Sequence, residues 1–140
     1  MEVPSKYKHL TFIKPIGFLN KNIPAQYTQY VELLLGTDIF LFPTQAECAG
    51  IVICEAAAFG IPTFTYDTGG VSNYVINGMN GYRLPMNALG TDFADCIYLS
   101  YVKSELEKLS LGATMLFNTQ LNWEIWADKV LTYIRTIVDK

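Results

Sequence analysis

The apolar positions of this chain change their period several times, and the changes mark out its elements. Leu10 to Phe18 reads as a strand, with Pro15 pointing to a sheet edge because it has no N–H for the ladder. Pro24 opens a helix that places Tyr27, Tyr30, Val31 and Leu34 on one face, and Gly36 stops it. Ile39 to Phe42 is a continuous apolar run between Asp38 and Pro43, short enough to predict a buried parallel strand. A second helix starts at Gly50 and runs to about Phe59, rich in Ala and Ile, with Gly60 ending it. Pro62 to Tyr66 is another strand-like run. Gly69-Gly70 punctuates it, Val71 to Ile76 reads as a short helix, and Gly81 to Leu84 as a last strand after the Asn77-Gly78 turn.

The remainder is helical. Thr91 to Val102 and Ser104 to Phe117 form two segments, and Asn122 is a good N-cap for a final helix with Glu124 in its first turn. Trp123, Trp126, Ala127, Val130, Leu131, Ile134 and Val138 keep to one face of it, a stripe expected to pack on another surface of the protein. Strands alternating with helices predict an α/β class: a partial parallel sheet flanked by helices, with a helical C-terminal end, over residues 1–140 as one domain.

Composition narrows the function classes. With 51% hydrophobic and 14% aromatic residues in 140, the chain can build a core. A net charge of −3 without a basic stripe argues against nucleic-acid binding. The apolar stretches are too short or too interrupted to span a bilayer, and Met1 is followed by Glu2, Pro4, Ser5 and Lys6 rather than by a secretory signal. Cys48, Cys54 and Cys96 are irregularly spaced, which suits free thiols in a reducing cytoplasm better than disulfides or a metal site. His9 is the only histidine, so a Ser-His-Asp or Cys-His site would have to use it.

The chemistry concentrates between Asp38 and Gly70. Ligands of open parallel sheets bind beyond the carboxyl ends of the strands, where the loop Thr44–Ala49 would sit. The helix N-terminus after Gly50 offers unpaired N–H groups and a positive dipole end, both suited to phosphate. Glu47 lies in the loop and Glu55 about one and a half turns into the helix. Two carboxylates flanking such a helix end could accept hydrogen bonds from ribose and sugar hydroxyls. Gly69-Gly70 could present further backbone N–H groups to an anion or a sugar. Bland readings stand beside these: Glu47 as a solvated surface acid, Glu55 as a partner of a lysine, the glycines as caps and turns, Cys48 as a passive small residue, and the tryptophans as core.

The stretch DIFLFPTQAECAGIVICEAAAFGIPTFTYDTGGVSNYVINGMNGYRLP resembles the signature region of family 4 of the retaining glycosyltransferases, which have the two-Rossmann GT-B fold. The matching elements are the strand to Pro43, the Glu47/Glu55 pair with seven residues between, Gly50, Ala56, Gly60-Ile61-Pro62, Gly69-Gly70 and Asn80-Gly81. IGFLNK upstream and NWEIWADKVLTYI downstream extend the likeness over nearly the whole chain. Where the family has Gly and an aromatic residue after the first Glu, this chain has Cys48 and Ala49.

The resemblance implies a Rossmann-like donor-binding domain for a nucleoside diphosphate sugar. In it Glu47 would touch the donor sugar near the reacting carbon. The backbone from Cys48 through Ala49, Gly50 and Ile51 would hold sugar and diphosphate. Glu55 would bind the ribose, Phe18 would lie near the base, and Gly69 and Gly70 would complete the site. Such enzymes transfer sugar with retention, need no metal at the diphosphate and use no further cofactor. The family's Arg and Lys, and its acceptor-binding N-terminal domain, have no counterpart here. The expectation is therefore a C-terminal fragment, inactive alone and prone to self-association. Its complete enzyme would act in glycan or polysaccharide biosynthesis on a glycan or lipid acceptor, in the cytoplasm, with peripheral membrane attachment as a variant. A non-catalytic nucleotide- or partner-binding module and a GT-B-like sugar-nucleotide epimerase are the alternatives.

Overall fold

The computed structural model describes residues 4–138, so Met1–Val3, part of the leader argument, lie outside the described residues. The chain divides after Leu35 into two compact units.

In the first unit a 3-10 turn, Ser5–Tyr7, leads through a turn at Leu10–Ile13 into extended chain and then helix α1, Pro24–Leu35. Gln26 Oε1 accepts the Asn20 N–H at 2.7 Å, and Asn20 Oδ1 accepts the Asn22 N–H at 3.0 Å, which turns the chain into α1. The expected strand from Leu10 to Phe18 does not form. Its first residues turn on themselves, the Ile13 N–H bonding the Leu10 carbonyl at 3.1 Å, and the rest pairs with no strand among the described residues. A strand exists only through a partner, and Pro15 removes one of the few donors this segment could offer.

The second unit is a three-stranded parallel sheet in the order β1 (Phe40–Phe42), β2 (Thr63–Tyr66), β3 (Gly81–Leu84). Phe40 pairs with Thr63, and Thr63 with Gly81. Helix α2, Ile51–Ala58, connects β1 to β2; a 3-10 turn, Gly69–Asn73, lies between β2 and β3. Then come α3 (Gly90–Val102), α4 (Leu106–Leu116), a π-helical turn (Phe117–Leu121) and α5 (Trp123–Val138). The parallel sheet with flanking helices and a helical end is the α/β architecture the alternation predicts. The expected helix at Val71–Ile76 is realised as the 3-10 turn, shifted toward Gly69.

Side chains of a strand alternate between faces, and the core follows that rule. Phe64 and Tyr66 of β2 join Tyr82 and Leu84 of β3 on one face, covered by Phe93 and Leu109 from α3 and α4. Phe40 and Phe42 of β1 lie on the other face, with rings stacked 5.4 Å apart, under Ile53 of α2 and Val71 and Val75. β2 is central, so Thr63, Phe64 and Thr65 are all fully buried. This is why its sequence shows no polar face for solvent.

Asn80 ties the second crossover to the sheet. Its Oδ1 accepts the Ile76 N–H at 2.7 Å and its Nδ2 donates to the Tyr74 carbonyl at 2.8 Å. At the end of the unit, Asn122 caps α5 as expected, its Oδ1 accepting the Ile125 N–H at 2.9 Å. The stripe that α5 carries is not packed as expected. None of its residues is fully buried, and Trp123 and Trp126 are 71% and 56% exposed. Its start meets the π-helical turn, and every residue from Leu131 to Val138 is exposed.

Candidate functional site

β1 ends at Phe42, and the loop beyond Pro43 reaches α2 through a compact turn built on one carboxylate. Glu47 Oε1 accepts the backbone N–H of Cys48 at 2.9 Å, of Ala49 at 3.1 Å and of Gly50 at 3.1 Å. The bonds from Gly50 and then Ala49 hold the Glu47 carboxyl below its ordinary value, against an opposing effect of desolvation that outweighs the further bond from Cys48. Three consecutive N–H groups converging on one oxygen form a concave anion site, occupied in this structure by the chain's own carboxylate.

Gly50 makes the geometry possible. It precedes α2 in the left-handed region at φ +52°, which residues with a Cβ adopt at a cost. It is buried against Tyr74, so an added Cβ would sit 3.1 Å from that ring. The turn thus gathers the N–H groups of residues 48–50 onto the Glu47 carboxylate, while the helix behind them stays packed through Ile53, Ala56 and Ala57.

The second loop, after β2, is laced onto the first. Thr68 Oγ1 donates to the Gln45 carbonyl at 3.1 Å, and the Gly70 N–H donates to the Glu47 carbonyl at 3.2 Å. Gly69, at φ +49°, passes so close that a Cβ would run into the Glu47 carbonyl oxygen. The Gly-Gly pair therefore serves close approach of two loops, and the Gly70 N–H is committed to the protein itself. Asp67 is committed too, paired with Arg83 Nη1 at 2.6 Å.

The structure brings Glu47, Cys48, Ala49, Gly50, Ile51, Gly69 and Gly70 into this paired-loop corner at the carboxyl ends of β1 and β2. Glu55 lies one turn along α2 from Ile51, on the same helix face by its i, i+4 spacing, and is half-buried and engaged with a partner. Its charge and, more strongly, burial push the neighbouring Cys54 thiol up. Phe18 belongs to the first unit, where it is 90% exposed. Among the described residues no cluster of His, Cys, Asp or Glu could hold a metal ion, and no helix is long and apolar enough to cross a membrane.

One feature escaped sequence reasoning. A cleft of about 580 Å³ opens beside Ala49 and Ile51, between the start of α2 and the start of α5, with Tyr74, Trp123 and Trp126 in its walls. Its signal was the Trp-x-x-Trp spacing after Asn122, which reads equally well as a packing stripe.

Comparison with known proteins points to one family. The model of the family described as glycosyl transferases group 1 matches residues 16–110, more than half of the chain. The sucrose synthase of Nitrosomonas europaea is 30% identical over 122 residues, covering 84% of this chain and 15% of that protein. That of Melioribacter roseus is 29% identical over 136 residues, covering 94% and 17%, and one from Solanum tuberosum is 28% identical over 99 residues, covering 66% and 12%. The chain thus spans less than a fifth of the length of these relatives. On the extent of the family match and of the likeness to these relatives, the chain belongs to the glycosyl transferases group 1 family.

Proposed function

We propose that this chain is the donor-binding part of a retaining glycosyltransferase that moves a sugar from a nucleoside diphosphate sugar to an acceptor. The observation that carries the reading is the Glu47–Gly50 turn in a member of a sugar-transferring family: three N–H groups and a carboxylate converge where a sugar diphosphate would meet the sheet. In this reading Glu47 contacts hydroxyls of the transferred sugar, and the backbone of Cys48, Ala49, Gly50 and Ile51 holds sugar and diphosphate. Glu55 takes the ribose and Phe18 lies toward the base. Gly69 and Gly70 contribute by fixing the first loop, which the Gly70 bond to Glu47 supports.

Catalysis would rest on stabilising the departing diphosphate and on positioning the acceptor, with the carboxylate oriented in advance. The reading requires no metal at the diphosphate. The acceptor is taken to be a glycan or lipid bound by another domain, in a cytoplasmic polysaccharide pathway. The relatives named sucrose synthase favour a second version, in which the acceptor is a small sugar.

The test is Glu47→Ala in the complete enzyme, with kcat/KM for sugar transfer measured alongside the affinity for the free nucleoside diphosphate. A loss of roughly a hundredfold in transfer is expected. Unchanged transfer would leave a binding module. Conversion of a labelled nucleotide sugar to its epimer would move the assignment to an epimerase. Sugar transfer by the 140-residue chain alone would overturn its assignment as an inactive part.

A further inference from the structure

We propose that the cleft between α2 and α5 is a saccharide-binding subsite that takes a pyranose ring on Trp123 and Trp126. The two indoles meet edge to face, with centroids 5.7 Å apart and planes at 82°, and both remain largely exposed. They form an apolar corner at one end of a cleft whose volume of about 580 Å³ suits one or two sugar rings.

The rest of the lining is polar in the manner a polyol requires. Asn73 and Gln120 present side-chain amides, each both donor and acceptor, and Lys129 presents an ammonium. Among the described residues none of these three side chains has a hydrogen-bonding or ionic partner. Asn122, by contrast, is spent on its cap and on the Phe117 carbonyl. A sugar ring has an apolar C–H face for an indole and a rim of hydroxyls for amides and an ammonium. Asn73, Gln120 and Lys129 are exposed, so an apolar peptide would strip water from them without replacing its hydrogen bonds, and a phosphate would leave the indole corner unused.

The cleft opens beside Ala49 and Ile51, so it is continuous with the loop assigned to the donor. Glu47, Cys48 and Gly50 do not line it, and Ala49 is the one residue of the three-bond turn that does. The inference rests on the sugar-transfer reading only for its choice of probes.

The experiment titrates the 140-residue chain with sucrose, maltose and cellobiose, following the two indole N–H resonances and the backbone amides by NMR. At least one disaccharide should give saturable shifts of both indoles, with amide shifts clustered at Asn73, Tyr74, Gln120 and Lys129. Trp126→Ala, shown to be folded by circular dichroism, should weaken that affinity at least tenfold. No saturable shift with any of the three sugars overturns the proposal, as does an affinity unchanged in the folded variant. In parallel, uridine and adenosine diphosphate should shift Cys48–Gly50 and spare the indoles. Diphosphate binding without saccharide binding would sink the subsite alone, and the reverse would sink the donor reading alone.

Discussion

Gly70 donates its backbone N–H to the carbonyl of Glu47 at 3.2 Å, so the loop after β2 holds the backbone of the residue whose side chain organises the loop after β1. The two loops behave as one element. A change in the second should be read out in the first, although the two are separated by a helix and a strand.

Gly69 is where that coupling is most exposed to substitution. Gly69→Ala must pay about 1–2 kcal/mol for the left-handed backbone alone, and its Cβ would push the Glu47 carbonyl away. Urea unfolding should show a lowered midpoint. The amide resonances of Cys48, Ala49 and Gly50 should shift more than those of α3 or α4. A variant as stable as the parent, with these amides unmoved, would mean that the loops are independent.

The Glu47 carboxyl gives the loop a pH dependence with a definite sign. Hydrogen bonds from Gly50, Ala49 and Cys48 lower its folded-state pKa below the ordinary 4.5. The stability it contributes is therefore fully present above 4.5 and is lost as pH falls through the lowered folded value. Glu47→Gln should be less stable than the parent at neutral pH, and the gap should close in acid. The Glu47 side-chain carbon, followed by NMR, should titrate below the ordinary 4.5. A midpoint at or above that value would count against the three-bond turn.

Much of this was readable because the punctuation is strong. Gly50 and Gly60 bracket α2 in the sequence and in the structure, both with positive φ, and the run between Asp38 and Pro43 contains β1. The Glu47 loop could be located for the same reason. Its internal wiring could not: period and composition are silent on whether a carboxylate folds back onto its own N–H groups. Leu10–Phe18 has strand composition, but pairing is a long-range property and its first residues satisfy each other locally. The Gly69-Gly70 pair showed permissive backbone, yet the purpose, passage beside the Glu47 carbonyl, depends on a neighbour distant in sequence. The α5 stripe was visible as periodicity, whereas its exposure is a fact about what lies opposite.

Asn80 appeared in the sequence only as half of an Asn-Gly turn signal, and the structure gives it a larger share of the fold. It is buried, with both ends of its amide bonded to the backbone at Ile76 and Tyr74. Asn80→Ala orphans one N–H and one carbonyl, at about 1–3 kcal/mol for each group that stays dry. Tyr74 should then lose its fixed position against Gly50, so the Gly50 amide should shift as well. Asn80→Asp keeps the acceptor but sets a buried carboxylate oxygen against the Tyr74 carbonyl, so at neutral pH its urea midpoint should lie well below the parent's and recover as acid protonates the carboxyl. Equal midpoints for all three proteins would show that water replaces the amide without cost.

The three thiols should separate by reactivity. Cys48 is exposed at the turn, whereas Cys54 and Cys96 are partly buried. Burial raises the Cys54 thiol, assisted by the charge of Glu55, and burial likewise raises Cys96, assisted by Glu105. A raised pKa leaves less thiolate at neutral pH, and only the thiolate attacks. Iodoacetamide at neutral pH should therefore label Cys48 first, as peptide mass mapping would record. Raising the pH should speed labelling of Cys54 and Cys96, because their thiolate fractions go on climbing above the ordinary thiol value of 9.0. Cys54 also lines the cleft beside α5, so a saccharide that fills it should slow labelling of Cys54 and leave Cys96 unaffected. Equal slowing at both cysteines would point to a general stabilising effect of the sugar and away from a ligand seated in the cleft.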